Sequence, residues 1–184
     1  QNLTGIWPKK VVNYKTVMSD AASGFTSVTY PFPVIRMADL YLMYAEALNE
    51  KGEDYATVLP WIDMVRERSG LQGVKESWDQ YVGNSKYATQ TGLRQIIMQE
   101  RRIELAFEGH YFWDVRRWKT ATTELTQPLT GWKVRYGETD VDYYSENLVL
   151  VRDFTPKMYF WPIKHDELKR NKRLTQNPGW TYND

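Results

Sequence analysis

The chain of 184 residues contains no cysteine. Disulfides, thiolate zinc sites and cysteine nucleophiles are thereby excluded. Histidine is almost as scarce. His110 and His165 are the only two, and neither belongs to an HExxH pattern or has a second ligand at metal-binding spacing. No glycine-rich phosphate loop and no nucleophile elbow is present, and no cofactor is expected. No stretch approaches the roughly 18 consecutive apolar residues of a membrane-spanning helix. An excess of one charge is lacking too. Lysine and arginine number 24 against 23 aspartates and glutamates, so the basic face that nucleic acid requires is not indicated. The opening residues, QNLTGIWPKK, carry neither an initiator methionine nor the apolar core of a signal peptide. The chain is therefore expected to be a piece of a longer protein or a processed product.

Aromatic residues, by contrast, are abundant: eight tryptophans and thirteen tyrosines. Both are costly to bury unless the N–H or O–H finds a partner. The excess points either to rings that stack on flat, partly apolar ligands such as sugars, or to a core with many satisfied tyrosines. Sugars are held by aromatic faces and a few polar groups around them. The aromatics set in polar loops are therefore the candidate binding residues: Trp78, Tyr81 and Tyr87 with Asp79 and Asn84, then Trp132 and Tyr136, with Tyr143 and Tyr144 beside them.

Periodicity predicts a mainly α protein. Residues 34–50, VIRMADLYLMYAEALNE, are apolar nearly all the way round, the mark of a helix packed on several sides. Its exceptions, Asp39 and Glu46, share a face with Ile35 and Leu42. KGED leads into a second helix over about 55–69, stopped by Gly70. Pro60 is tolerable only near a first turn, which would move the start toward Leu59. The two helices form a hairpin of about the tetratricopeptide period of 34 residues. Residues 71–90 are expected as a loop or short helix carrying exposed rings, followed by a third helix over about 92–108. Beyond it, 119–147 lacks helical periodicity. NLVLVRDF and KMYFWPI are short strand candidates, and HDELKRN is expected to make one or two helical turns. One domain is expected, with a helical core over about 33–118 and a loop-rich, aromatic part over about 119–184.

The third helix poses a physical problem. Leu93, Ile96, Ile97, Ile103 and Phe107 define its apolar face, and Glu100 and Glu104 fall in the middle of it. A buried carboxylate must be paired or neutralised, because leaving it alone costs several kcal/mol. Arginines suit the task, since their planar forks pair bidentately with carboxylates. The expected ion network joins Asp39, Glu46, Glu100 and Glu104 to Arg101, Arg102, Arg116 and Arg117, with Arg36, Arg66 and Arg68 as further partners. The alternative is that Glu100 and Glu104 form a glycosidase pair, for which carboxyls about 5–9 Å apart would serve. The arginines beside them would hold both groups ionised, whereas a general acid needs its pKa raised.

Four segments in order, PVIRMADLYLMYAEALNEKG (33–52), WIDMVRERSGL (61–71), ERRIELAFEGHYFWDVRRW (100–118) and YFWPIKHDELKRNKRLTQNPGW (159–180), resemble the C-terminal part of the SusD/RagB family. Two positions depart from the family's usual pattern: His110-Tyr111, where an arginine usually follows the glycine, and Lys164, where the usual residue is proline. The resemblance implies a scaffold of tetratricopeptide-like hairpins overlaid by irregular loops. It also implies a lipid-anchored protein on the external face of the bacterial outer membrane, which binds glycans without chemistry. The glycans would pass to a SusC-like TonB-dependent transporter for import. No binding residue carries over by motif. A helical-repeat scaffold that binds protein alone and a glycoside hydrolase remain the competing classes, and sugar-dependent quenching of tryptophan fluorescence and release of reducing ends would separate them.

Overall fold

A computed structural model describes residues 4, 8–18, 24–134 and 138–181. Helices dominate and strands are few and short, so the architecture is mainly α with tetratricopeptide-like hairpins, as the sequence predicts. The chain falls into two compact units. One is Lys9–Tyr111, and the other joins Gln1–Pro8 to Phe112–Asp184.

The first unit opens with two short antiparallel strands, β1 (Val17–Met18) and β2 (Phe25–Thr26). Helix α1 (Met37–Lys51) buries Ala38, Leu42, Ala45 and Asn49, a stripe at i, i+4 and i+7 spacing. It ends where Gly52 takes a left-handed φ of 91° and Glu53 N donates to Leu48 O, closing the last turn. Helix α2 (Tyr55–Arg68) starts earlier than Pro60 alone would suggest. Asp54 caps it by accepting from Thr57 N at 2.8 Å, and burial of Val58 and Leu59 fixes the first turns. Pro60 sits inside the helix on its exposed side. Ala56, whose carbonyl loses its helical partner there, is exposed as well, so water can satisfy that oxygen.

Helix α3 (Val74–Ser77) runs on into a π turn, Trp78–Val82, which Gly83 terminates at φ 69°. A 3₁₀ turn, Lys86–Ala88, precedes α4 (Gln90–Glu104). Thr89 caps α4 through its hydroxyl, which accepts from Gly92 N at 3.1 Å. Only glycine fits at 92, because a Cβ there would lie 2.1 Å from Lys86 O. The end of α1 and the start of α4 are tied reciprocally. Asn49 Nδ2 donates to Gln90 O at 3.1 Å, and Gln90 Nε2 donates to Asn49 O at 2.7 Å. This accounts for a buried asparagine in an otherwise apolar stripe. Leu42, Ile62, Leu93 and Ile97 fill the centre of the core that α1, α2 and α4 enclose.

Two sequence expectations for α4 change. Ile103 and Phe107 are exposed and do not belong to the buried face. The helix stops at Glu104, and Phe107 takes a left-handed φ of 64°, which turns the chain before the helical phase could return it to the core. The buried edge of the stripe is instead Arg101, 3% exposed, and the following core residue is Leu105.

The division between the units falls within α5 (His110–Arg117). In the second unit, α6 (Ala121–Glu124) leads to β3 (Leu129–Trp132). Helix α7 (Asp140–Tyr143) lies between β3 and β4 (Glu146–Leu150), and the two strands pair antiparallel with Trp132 opposite Glu146. KMYFWPI, expected as a strand, begins as a 3₁₀ turn, Pro156–Tyr159, with Pro156 at its start. The rest of that segment has no strand partner. Side-chain amides replace the ladder: Ile163 N donates to Gln176 Oε1 at 2.8 Å, Gln176 Nε2 to Ile163 O at 3.0 Å, and Asn177 Nδ2 to Trp161 O at 2.7 Å. Helix α8 (His165–Arg170) follows and buries Leu168.

Candidate functional site

The charged residues of the first unit form hydrogen-bonded ion pairs between α2, α4 and the ends of α1. Arg36 grips Glu108 bidentately, Nε to Oε2 at 2.8 Å and Nη2 to Oε1 at 2.7 Å, and reaches Glu104 Oε1 through Nη1 at 2.8 Å. Arg68 Nη2 donates to both oxygens of Glu104 at 2.8 Å. Lys10 pairs with Glu108 from the other side. Arg66 pairs with Glu100 and uses its remaining donors on Gln72 O at 2.8 Å and Ser77 Oγ at 3.0 Å. Buried Arg101 donates from Nη1 to Asp39 Oδ1 at 2.8 Å.

These partners set the charge states. Hydrogen bonding to Glu108 raises the Arg36 pKa above its ordinary value against the opposing effect of burial. Burial disfavours the charge on Glu108, but hydrogen bonds from Arg36 and Lys10 outweigh it and hold its carboxyl below the usual range. Arg94 likewise lowers Glu50 through a fork whose Nη2–Oε2 arm is 2.6 Å, and Glu46 adds its field at Arg94. Asp63 moves the other way: burial raises its carboxyl although it accepts from Val74 N at 2.7 Å.

Among the remaining arginines, Arg102 stacks over Tyr111, its Cζ 5.3 Å from the ring centroid. Arg117 Nε donates to Asp114 Oδ1 at 2.8 Å. Arg116 differs from its place in the expected network. Among the described residues no carboxylate pairs with it. Its guanidinium lies over Phe112 at 3.7 Å and Phe154 at 5.0 Å, with long bonds to Phe112 O at 3.4 Å and Met158 O at 3.5 Å.

The aromatic candidates separate by exposure. Tyr81 is 72% exposed on the π turn. Trp78 packs one side against the core while Lys86 Nζ stands 5.5 Å from its ring centroid. Tyr87 is 5% exposed, packs edge-on against Tyr55 and donates its hydroxyl to Asp79 Oδ1 at 2.8 Å, so its ring serves the fold. That bond raises the Tyr87 pKa, while Lys75 and then Tyr87 lower Asp79. Asn84 Oδ1 is engaged by Lys86 N at 3.1 Å.

In the second unit, Trp132 packs edge-on against Tyr144 at 5.6 Å, and Tyr144 against Tyr143 at 5.0 Å. Trp132 and Tyr144 are both exposed. Their backbone is anchored: Trp132 N donates to Thr4 O at 3.1 Å, Lys133 N to Tyr143 O at 3.0 Å, and a Cβ on Gly131 would lie 2.6 Å from Thr4 Cα. Tyr136 lies outside the described residues.

Sequence reasoning missed a cleft in this unit. Arg116, Phe154, Met158, Phe160, Trp161 and Trp180 line a cavity of about 340 Å³. Trp180 is fixed by two hydrogen bonds from its indole N–H, to Lys157 O and Phe160 O at 3.0 Å each. Gly179, at φ 82°, lets the tail pass Lys157, whose Cβ would stand 2.7 Å from a side chain there. Tryptophan beside proline in YFWPI, with a second tryptophan closing QNPGW, was the available signal.

The described residues thus form packed helical hairpins laced by ion pairs, with exposed aromatic rings on the loops beside them. The sequence matches the SusD family over residues 1–180, and the chain belongs to that family. SusD-like protein P2 of Formosa agariphila is 31% identical over 160 residues, which cover 86% of this chain and 27% of the relative. SusD-like protein P38 of the same organism is 28% identical over 144 residues, covering 78% of this chain and 24% of the relative. The crystal structure of a SusD-like protein from Bacteroides fragilis superimposes with a TM-score of 0.63 at 32% identity, over 78% of this chain and 25% of that one. The chain thus spans about a quarter of the length of the relatives it matches.

Proposed function

We propose that the protein is a non-catalytic glycan-binding component of the outer bacterial surface, and that these residues form the C-terminal region of a longer chain. In this reading the whole protein is lipid-anchored on the external face of the outer membrane. It passes oligosaccharides to a SusC-like TonB-dependent transporter for nutrient uptake. Family membership supports the reading, and one observation in this chain carries it to residues: the Trp132–Tyr144 pair presents two exposed, mutually perpendicular rings on an anchored hairpin. Rings held in this way offer flat apolar faces at low entropic cost, which is what stacking on a pyranose requires. Tyr81, largely solvated on the π turn, supplies a second exposed ring. The carboxylates do not suggest hydrolysis, because Glu100 and Glu104 are each held by arginines.

A protein-only scaffold is favoured by a different observation. Met37, Leu40 and Tyr44 of α1 and Met64 of α2 are exposed apolar side chains on the hairpin, a surface suited to a protein partner. Titration with soluble polysaccharides while following tryptophan fluorescence separates the two. Saturable quenching or a blue shift that Trp132→Ala reduces supports glycan binding. A signal unmoved by any polysaccharide favours the scaffold.

A further inference from the structure

We propose that the cleft around Arg116 is a subsite for a sugar carrying an anionic group, a carboxylate or a sulfate ester. The proposal rests on the glycan-binding reading and adds to it a location and a ligand class that the Trp132 and Tyr81 surfaces do not specify.

Three observations carry it. First, the cavity, about 340 Å³, lies at the lower end of the volumes typical of small-ligand clefts, about 300–1,000 Å³. Its walls are aromatic and aliphatic, and Trp161, 70% exposed, stands at its rim. Second, the charge at its edge is positive and incompletely used. The half-buried Arg116 has no carboxylate partner among the described residues, and its bonds to Phe112 O and Met158 O, at 3.4 and 3.5 Å, are at the outer limit of hydrogen bonding. Arg101 and Arg117, by contrast, each bond a carboxylate at 2.8 Å. A guanidinium flanked by Phe112 and Phe154 is partly shielded from water, which strengthens its attraction for an incoming anion. Lys157, 4.6 Å from the Trp180 ring centroid, adds positive charge beside the same wall. Third, the walls are held before any ligand arrives: Trp161 by Asn177 at its carbonyl and Trp180 through its indole N–H.

A pyranose fits this arrangement in one way. Its C–H face stacks on the exposed indole of Trp161, and its carboxylate or sulfate oxygens accept from Arg116, whose fork matches either anion. A neutral sugar keeps the stacking and loses the charge-assisted bonds. Discrimination therefore resides in Arg116, and Trp161 supplies affinity for any sugar that enters.

The test is calorimetric titration of the whole chain with three probes: tetragalacturonate for the carboxylate, sulfated dextran for the sulfate, and plain dextran as the neutral control. The wild type is expected to bind one or both anionic probes at least about tenfold more tightly than dextran. Arg116→Gln should abolish that preference, and Trp161→Ala, at an exposed position that leaves the fold intact by circular dichroism, should weaken the preferred probe by about tenfold. Binding of tetragalacturonate alone assigns the cleft to uronic acids, and binding of sulfated dextran alone assigns it to sulfate esters. Dextran binding as tight as the anionic probes overturns the inference while the glycan reading stands. Anionic binding that survives Trp161→Ala unchanged also overturns it, because the attraction then lies elsewhere on the surface. Failure of all three probes overturns the cleft assignment. The glycan reading itself falls only if the wider polysaccharide titration is also silent.

Discussion

Removing the Glu100 carboxylate tests whether ion pairing holds the helical unit together. Its side chain is 13% exposed and that of its partner Arg66 is 15% exposed. The pair is therefore closer to the buried limit, where losing one partner costs about 3–5 kcal/mol, than to the exposed limit of about 0–1 kcal/mol. Two features reduce the cost. Arg66 keeps its bonds to Gln72 O and Ser77 Oγ, and neither side chain is fully dry. Glu100→Ala should thus destabilise by about 2–3 kcal/mol, which for a chain of this size lowers the melting temperature by about 4–12 °C. Thermal denaturation followed by far-ultraviolet circular dichroism measures it. Glu100→Gln, which keeps the shape and one acceptor, should lose less. A double-mutant cycle with Arg66→Ala should give a coupling of about 1 kcal/mol or more, since the two groups touch. If Glu100→Ala melts within about 1 °C of the parent, where surface substitutions fall, the pair contributes nothing and the account of the charged helix is wrong.

Other expectations concern single positions. Glu108→Gln should change the acid limb of the stability curve. The folded carboxyl lies below its ordinary value, so its contribution is complete above the unfolded value, about 4.3, and disappears as pH falls through the lower folded value. The variant should be less stable than the parent at neutral pH, and the difference should shrink below about pH 4.3; a difference constant across urea melts from neutral to acid pH would contradict this. Gly92→Ala places a methyl 2.1 Å from Lys86 O and should cost about 1–3 kcal/mol through overpacking at the start of α4; denaturation of this variant at parental urea would refute it. Tyr81→Ala should leave the melting temperature within about 1–2 °C of the parent, because the ring is largely solvated, while lowering glycan affinity in the fluorescence titration. A melting shift with affinity intact would give Tyr81 a structural role instead.

The helical half was legible because its signals are local. The apolar spacing of Leu42, Ala45, Ile62, Val65, Leu93 and Ile97 gives α1, α2 and α4, and Asp54, Gly52, Gly70 and Thr89 mark their ends. Pro60 misled in one respect: helix propensity argues against an interior proline, but a cap at Asp54 and solvent at Ala56 offset the lost bond. Ile103 and Phe107 followed the wheel only on paper, because the helix ends at Glu104. In the second half the information is non-local. KMYFWPI has strand-like residues, yet the groups that satisfy its backbone are the amides of Gln176 and Asn177, further along the chain. The separation of Arg116 from its neighbour Arg117 has the same origin. Sequence places both beside Asp114, but only Arg117 bonds it, while Arg116 turns to Phe112 and Phe154. Among the rings, composition could name Tyr81, Tyr87 and Trp132 as candidates. It could not reveal that the Tyr87 hydroxyl is committed to Asp79.

The most direct measurement of the central claim is native affinity electrophoresis of this chain through gels containing soluble plant, host and microbial polysaccharides. The account predicts retardation by at least one of them, relieved when Trp132 is replaced by alanine, and unchanged migration in the remaining gels. Unaltered migration in every gel would contradict it and leave these residues as scaffold alone.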